Sequence, residues 1–143
     1  MFYRFDNKIV NFDSVSYIRR DGNMYKFNMC YPVTPYHDHD SIISDYVNVF
    51  ADTAEIAREI EGVIEKLEWI DIDPRRSRVI NPSKISFVKF DDKNSRIIVN
   101  VSTSISLKKI NNKWTSDFVY FTYDNKDEYE KNIQIISNLL SID

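Results

Sequence analysis

A chain of 143 residues is long enough for one ordinary domain or for two very small units that share a core. Hydrophobic residues make up 43% of the chain and charged residues 29%, a balance that supplies a buried core and excludes a disordered protein. The net charge of −3 is too mild for a DNA mimic, and the chain lacks the global basic balance that is typical of a nonspecific nucleic-acid binder.

The start of the chain and its one cysteine indicate the compartment. The first residues, MFYRFDNKIV, have neither the basic region nor the apolar run of a signal peptide, and no stretch approaches the roughly 18 apolar residues of a membrane helix. The single cysteine, Cys30, excludes an internal disulfide and a multi-cysteine zinc site. We therefore expect a soluble cytoplasmic protein with no membrane partner.

The first half predicts four strands in chain order. Residues 2–5 form a short extra strand, and residues 9–18, IVNFDSVSYI, form the next one. The Asp-Gly-Asn sequence at 21–23 is typical of a tight hairpin, after which a second long strand runs toward residue 31. Residues 45–51 complete the meander.

The second half repeats this order about seventy positions later. Residues 79–88 read VINPSKISFV, with Asn11 repeated as Asn81 and the apolar positions repeated in kind. A polar corner, a long strand and a further strand at 117–123 follow, as in the first half. The repeated order predicts that the chain consists of two related units.

A helix closes each predicted unit. Asp52 with Glu55 has the spacing of a capping box, and Asn125 with Glu128 repeats it. After each cap, apolar residues return at spacings of three and four, which draws one apolar stripe along each helix. The two stripes consist of Ile56, Ile60, Val63, Ile64 and Leu67, and of Tyr129, Ile133, Ile136 and Leu140.

These elements predict an α+β fold built by tandem duplication of a β-β-β-α unit. The first unit spans residues 1–70, a linker spans 71–78, and the second unit spans 79–143. One helix on a small sheet is a thin core for so short a unit. We therefore expect the two antiparallel meanders to share one core around a pseudo-two-fold axis.

Two unlike loops interrupt this repetition and are candidate recognition surfaces. They are residues 31–44, YPVTPYHDHDSIIS, and residues 107–116, LKKINNKWTS. Loops that differ on a repeated scaffold often carry binding residues. The candidates for contact with a partner are Tyr36, His37, Asp38, Lys113 and Trp114.

The first loop contains both histidines of the chain. His37 and His39, with Asp38 and Asp40 beside them, offer imidazole and carboxylate ligands of the kind that zinc, manganese or iron accepts. No further histidine completes such a site. We therefore rank a solvated loop as the first interpretation. A weak or adventitious metal site is the second, and a catalytic metal is the third.

The linker concentrates three arginines, Arg75, Arg76 and Arg78. Guanidinium groups suit phosphate or carboxylate, so a nucleotide at the junction of the two units is one interpretation. The ordinary interpretation is a solvated, charged linker.

The function that best fits the sequence is a non-enzymatic protein that binds another macromolecule, foremost a protein. The chain lacks a glycine-rich phosphate loop, a nucleophile elbow and a Cys-x-x-Cys motif, and we expect no cofactor. Inhibitors, immunity proteins and viral counter-defence proteins are of this type. The alternatives are a nucleotide binder, then a nucleic-acid binder, and more remotely a metal-dependent hydrolase at His37 and His39. The sequence is compatible with a monomer and with a homodimer.

Overall fold

The computed structural model describes residues 1–5, 7–33, 44–101 and 117–140. Within these ranges the protein is an α+β fold with nine strands in three antiparallel sheets and two helices, which confirms the predicted class. Neither helix in these ranges is long and apolar enough to cross a membrane. The elements are β1 (Phe2–Phe5), β2 (Lys8–Asn11), β3 (Val15–Asp21), β4 (Met24–Val33), β5 (Ser44–Phe50), α1 (Ala54–Lys66), β6 (Arg78–Ile80), β7 (Ile85–Asp91), β8 (Arg96–Val101), β9 (Asp117–Thr122) and α2 (Lys126–Leu139).

The predicted strands at 9–18 and 79–88 are each broken in the middle, so the prediction of one continuous strand is wrong in both places. A 3₁₀ turn follows Asn11, and another follows Asn81. The side chain of Asn11 accepts a hydrogen bond from the backbone N–H of Asp13 at 3.2 Å, and Asn81 does the same with Ser83 at 3.0 Å. An asparagine side chain that bonds a nearby N–H competes with the strand ladder and turns the chain.

The two long hairpins have matching registers. Strand β3 pairs with β4 and β7 pairs with β8, each with one irregularity at the first residues of the pairing. Gly22, with a φ of 60°, forms the first turn, as the sequence predicts, and Ser95, with a φ of 49°, ends the second turn. The left-handed backbone conformation costs little at glycine and more at serine.

Strand β6, at the start of the second half, joins the sheet of the first half. The four-stranded sheet has the order β5-β4-β3-β6, while β1 pairs with β2 and the remaining sheet has the order β7-β8-β9. Strand β6 therefore lies beside β3 of the first half, with Ile80 opposite Tyr17. The pseudo-two-fold axis and the single shared core stay predictions.

Each helix presents its predicted apolar stripe to a sheet. Ile60, Val63 and Ile64 of α1 are buried, as are Tyr129 and Ile136 of α2. The cap of α2 is Asn125 as predicted, since its side chain accepts from the N–H of Glu128 at 2.8 Å. The cap of α1 is Thr53 and not Asp52, because the Thr53 hydroxyl accepts the N–H of Ile56. Threonine and aspartate are both common caps, so the sequence alone favours neither neighbour strongly.

Buried apolar residues form two clusters, one for each helix. The first contains an aromatic network in which the ring of Phe12 lies 5.5 Å from the rings of both Phe27 and Trp69. Trp69 is 8% exposed, so its ring packs in the interior of the first cluster. The second cluster includes Ile70 and Ile80, so residues from both sides of the linker contribute to it.

Candidate functional site

The strands β8 and β9 have an inner and an outer face. Ile97 and Val99 of β8 and Val119 and Phe121 of β9 are buried on the side that packs against α2. Side chains alternate along a strand, so the residues between them point to the opposite side of the sheet. That opposite side is the outer face of the β7-β8-β9 sheet.

Three aromatic residues on the outer face are exposed, and we name them the aromatic face: Phe87, Phe118 and Tyr120. Their exposed fractions are 50%, 39% and 42%. The rings of Phe118 and Tyr120 lie 6.3 Å apart and nearly parallel, and the ring of Phe87 meets Phe118 edge-on at 6.1 Å. Asn100 lies opposite both phenylalanines in the register, so the rings meet across β8. The result is one connected group of exposed rings.

Cations lie beside these rings. The guanidinium of Arg96 is 5.2 Å from the ring centre of Tyr120 and bonds the Asp91 carboxylate at 3.0 Å. Hydrogen bonds from Asn94 and Arg96 hold the pKa of Asp91 below its usual range, so this carboxylate is ionised at neutral pH. Lys89, opposite Ile98 in the register, is exposed on the same face.

A cavity of about 240 Å³ lies where the linker meets β9, and we name it the arginine pocket. Arg78 donates to the Tyr120 carbonyl at 2.8 Å and lies 3.5 Å from the Asp73 carboxylate. That carboxylate is almost fully buried and accepts the backbone N–H groups of Arg75 and Arg78. Asp73 therefore holds the linker in a defined turn. The pocket is lined by Asp73, Pro74, Arg75, Arg78, Tyr120 and Thr122.

Arg76 belongs to a different cavity, of about 360 Å³, which we name the acidic pocket. Four carboxylates contribute to its lining, so it repels a phosphate group. The structure thus brings Arg75 and Arg78 together and separates Arg76 from them. The acidic pocket is lined by Glu61, Ile64, Glu65, Glu68, Trp69, Asp71 and Arg76.

A polar cluster forms one wall of the acidic pocket. Arg20 makes two hydrogen bonds to Glu61, at 2.7 and 2.8 Å, and two to Asp71, at 3.2 and 3.4 Å. Burial alone would raise the pKa of Glu61, but the hydrogen bonds and charge of Arg20 outweigh it and hold that pKa below its usual range. Burial and the negative charge of Glu61 raise the pKa of Tyr25 to about 12. The cluster is saturated with internal bonds, which is typical of a structural role.

The sequence-predicted loop residues cannot be compared with this geometry, because they lie outside the described residues. They are Tyr36, His37, Asp38, His39, Lys113 and Trp114. Within the described residues, no group of three or more His, Cys, Asp or Glu side chains is arranged to hold a metal ion. The proposed roles of loops 31–44 and 107–116 stay predictions.

Sequence reasoning missed the aromatic face. Residues 117–123 read DFVYFTY, with aromatic side chains on both faces of the strand, so alternation does not separate inner from outer rings. Comparison with known proteins found no match: no family model, no curated protein and no solved structure matches the chain. The functional argument therefore rests on the geometry of the chain itself.

Proposed function

We propose that the chain is a non-enzymatic protein that binds another macromolecule through the aromatic face. The observation that carries this proposal is the contact of three exposed rings on one open sheet surface. When a partner covers apolar rings that are exposed at the surface, their removal from water favours binding. Aromatic side chains with arginines beside them are also the residues most enriched at binding surfaces.

We also propose the architecture that the sequence predicts, a tandem duplication of a β-β-β-α unit in a cytoplasmic monomer or homodimer. In its support, the register shifts at the same place in both hairpins, between Val15 and Tyr17 and between Ile85 and Phe87. In this proposal the two units kept a common scaffold while the second unit acquired the binding surface. Inhibitors and immunity proteins are the functional type it resembles by analogy.

A capture experiment with matched variants tests the proposed function. The face variant replaces the three rings of the aromatic face by serine. The control variant replaces three other exposed apolar residues, Phe2, Ile9 and Leu139, which are 71%, 68% and 43% exposed. Each immobilised protein is incubated with a lysate of the source organism, and the retained protein and nucleic acid are quantified.

We expect the wild type and the control variant to retain the same macromolecule and the face variant to lose it. Equal retention by the face variant would contradict the proposal. Thermal unfolding of all three proteins checks that the substitutions leave the fold intact.

A second candidate function is the binding of a mononucleotide in the arginine pocket. Arg75 and Arg78 line this cavity together with Tyr120 and Thr122. A nucleotide that raises the melting temperature of the wild type but not of the variant Arg75→Gln would support this function. No shift with any nucleotide would exclude it.

A further inference from the structure

Building on the proposed function, we propose that the partner of the aromatic face is a single-stranded nucleic acid. Its bases stack on the exposed rings, and one of its phosphates lies in the arginine pocket. Three independent features of the surface support this: the arrangement of the rings, the local charge and the shape of the surface.

The rings are arranged to take more than one base. Phe118 and Tyr120 project from alternate positions of β9, with an angle of 27° between their ring planes. Phe87 extends the group across β8. Stacking on a ring requires only the flat face that every base has, so a row of rings binds a strand with little regard to sequence.

The local charge favours a polyanion. Asp73 pairs with Arg78, and Asp91 pairs with Arg96. Arg75 and Lys89 form no ion pair with the described residues, so they leave an excess of positive charge beside the rings. The chain as a whole has a net charge of −3, so this surface departs from the average of the molecule. Phosphates beside the Arg75 guanidinium and the Lys89 ammonium are attracted by their charge, and binding there releases counterions. Both effects favour the complex.

The shape of the surface favours a single strand over a duplex. In a duplex the flat faces of the bases are stacked on each other and cannot reach the rings. In the described residues, α2 packs on the inner side of β8 and β9, so the outer face is a bare sheet without a helix to enter a groove. An open sheet surface can stack on the separated bases of a single strand, but it cannot enter the groove of a duplex.

Fluorescence anisotropy with a labelled single-stranded oligodeoxythymidine tests the inference. The variants are Tyr120→Ala and Arg75→Gln, and each has a matched control. Phe50→Ala removes a ring of similar exposure from β5 of the four-stranded sheet, since Phe50 is 50% exposed and Tyr120 is 42% exposed. Arg58→Gln removes an exposed arginine from α1.

We expect saturable binding that Tyr120→Ala weakens about tenfold and Phe50→Ala leaves unchanged. Arg75→Gln lowers the slope of log K against log salt concentration by about 0.7, the contribution of one phosphate contact on a single strand, and Arg58→Gln does not. A duplex of the same length binds more weakly than the single strand.

Absence of oligonucleotide binding, or equal binding by wild type and Tyr120→Ala, would overturn the inference. Competition by thymidine monophosphate at the same concentration as the oligonucleotide would also overturn it, in favour of the mononucleotide function. If the oligonucleotide fails to bind while the face variant still loses a captured protein, only the nucleic-acid partner is wrong. If the face variant loses nothing from the lysate, the proposed function is wrong as well.

Discussion

Two asparagines occupy the same place in the two halves of the molecule, yet their side chains bind different groups. Asn11 is half-buried, and its amide contacts Ser14 and the amino terminus. Asn81 is 5% exposed, and its amide donates to the carbonyls of Phe12 and Val15, at 3.4 and 2.9 Å. Both carbonyls belong to the first half. The same residue thus turns the chain in both halves and additionally joins the halves in the second.

This difference predicts the largest effect on stability. Asn81→Ala leaves two buried carbonyls and the N–H of a turn without their partner. Each such loss costs about 1–3 kcal/mol, so we expect a total loss of at least about 3 kcal/mol. Asn11→Ala removes a half-buried cap that, within the described residues, reaches no carbonyl of the other half, and it should cost about 1 kcal/mol or less. Urea unfolding of the two variants measures both values. Equal losses would show that Asn81 does not hold the halves together.

The two hairpins also differ where their strands approach the helices. Arg20 lies opposite Tyr25 in the first hairpin, and Phe90 lies opposite Ile97 in the second. The first pair takes part in the polar cluster with Glu61, and the second pair is apolar. Replacing both members of a buried ion pair by apolar residues commonly changes the stability of the fold little. Removing only one member leaves the other charge without its partner and is destabilising. The polar version makes the first half sensitive to pH.

Acidification should therefore weaken the first hairpin through Glu61. Its pKa in the folded protein is below the usual value, so the stabilisation by Glu61 is complete at neutral pH and is lost as the pH falls from about 4.3 through the folded pKa. Because the Glu61 side chain is 40% exposed, solvent screening limits the effect to about 1 kcal/mol.

The measurement compares urea midpoints of the wild type and Glu61→Gln at neutral and at acidic pH. We expect the glutamine variant to be less stable at neutral pH and the difference to shrink on acidification. Glu65→Gln is the matched control, because Glu65 lines the same acidic pocket. A difference that persists unchanged in acid would mean that the ion pair contributes nothing.

The sequence predicts local structure better than it predicts contacts between the halves. Gly22 and Asn125 mark a hairpin and a helix start because their backbone and side-chain preferences act within a few residues. The pairing of β6 with β3 and the bonds from Asn81 to Phe12 and Val15 join residues about 60 to 70 positions apart, which no local pattern contains. The sequence does not predict the aromatic face either. Strand β9 carries rings on both of its faces, so its sequence does not show which face packs against α2.

The smallest predicted effect concerns two aromatic residues that each follow the register irregularity of their hairpin, Tyr17 and Phe87. Tyr17 lies opposite Ile80 and packs against the second cluster, whereas Phe87 is 50% exposed on the outer face. Tyr17→Ala removes packed apolar surface and should cost more than about 1 kcal/mol. Phe87→Ala should change the free energy of unfolding by no more than about 0.5 kcal/mol, because an exposed ring contributes little to the fold.

Urea unfolding of the two alanine variants decides between two roles for Phe87. A loss as large as that of Tyr17→Ala would make Phe87 part of the folding core and would remove it from the proposed binding surface. Unchanged stability together with lost partner binding would give its ring a role that folding does not require. Contact between water and an exposed apolar ring is unfavourable in the free protein. A bound partner that covers the ring removes this contact, and the free energy of the complex is lower for it.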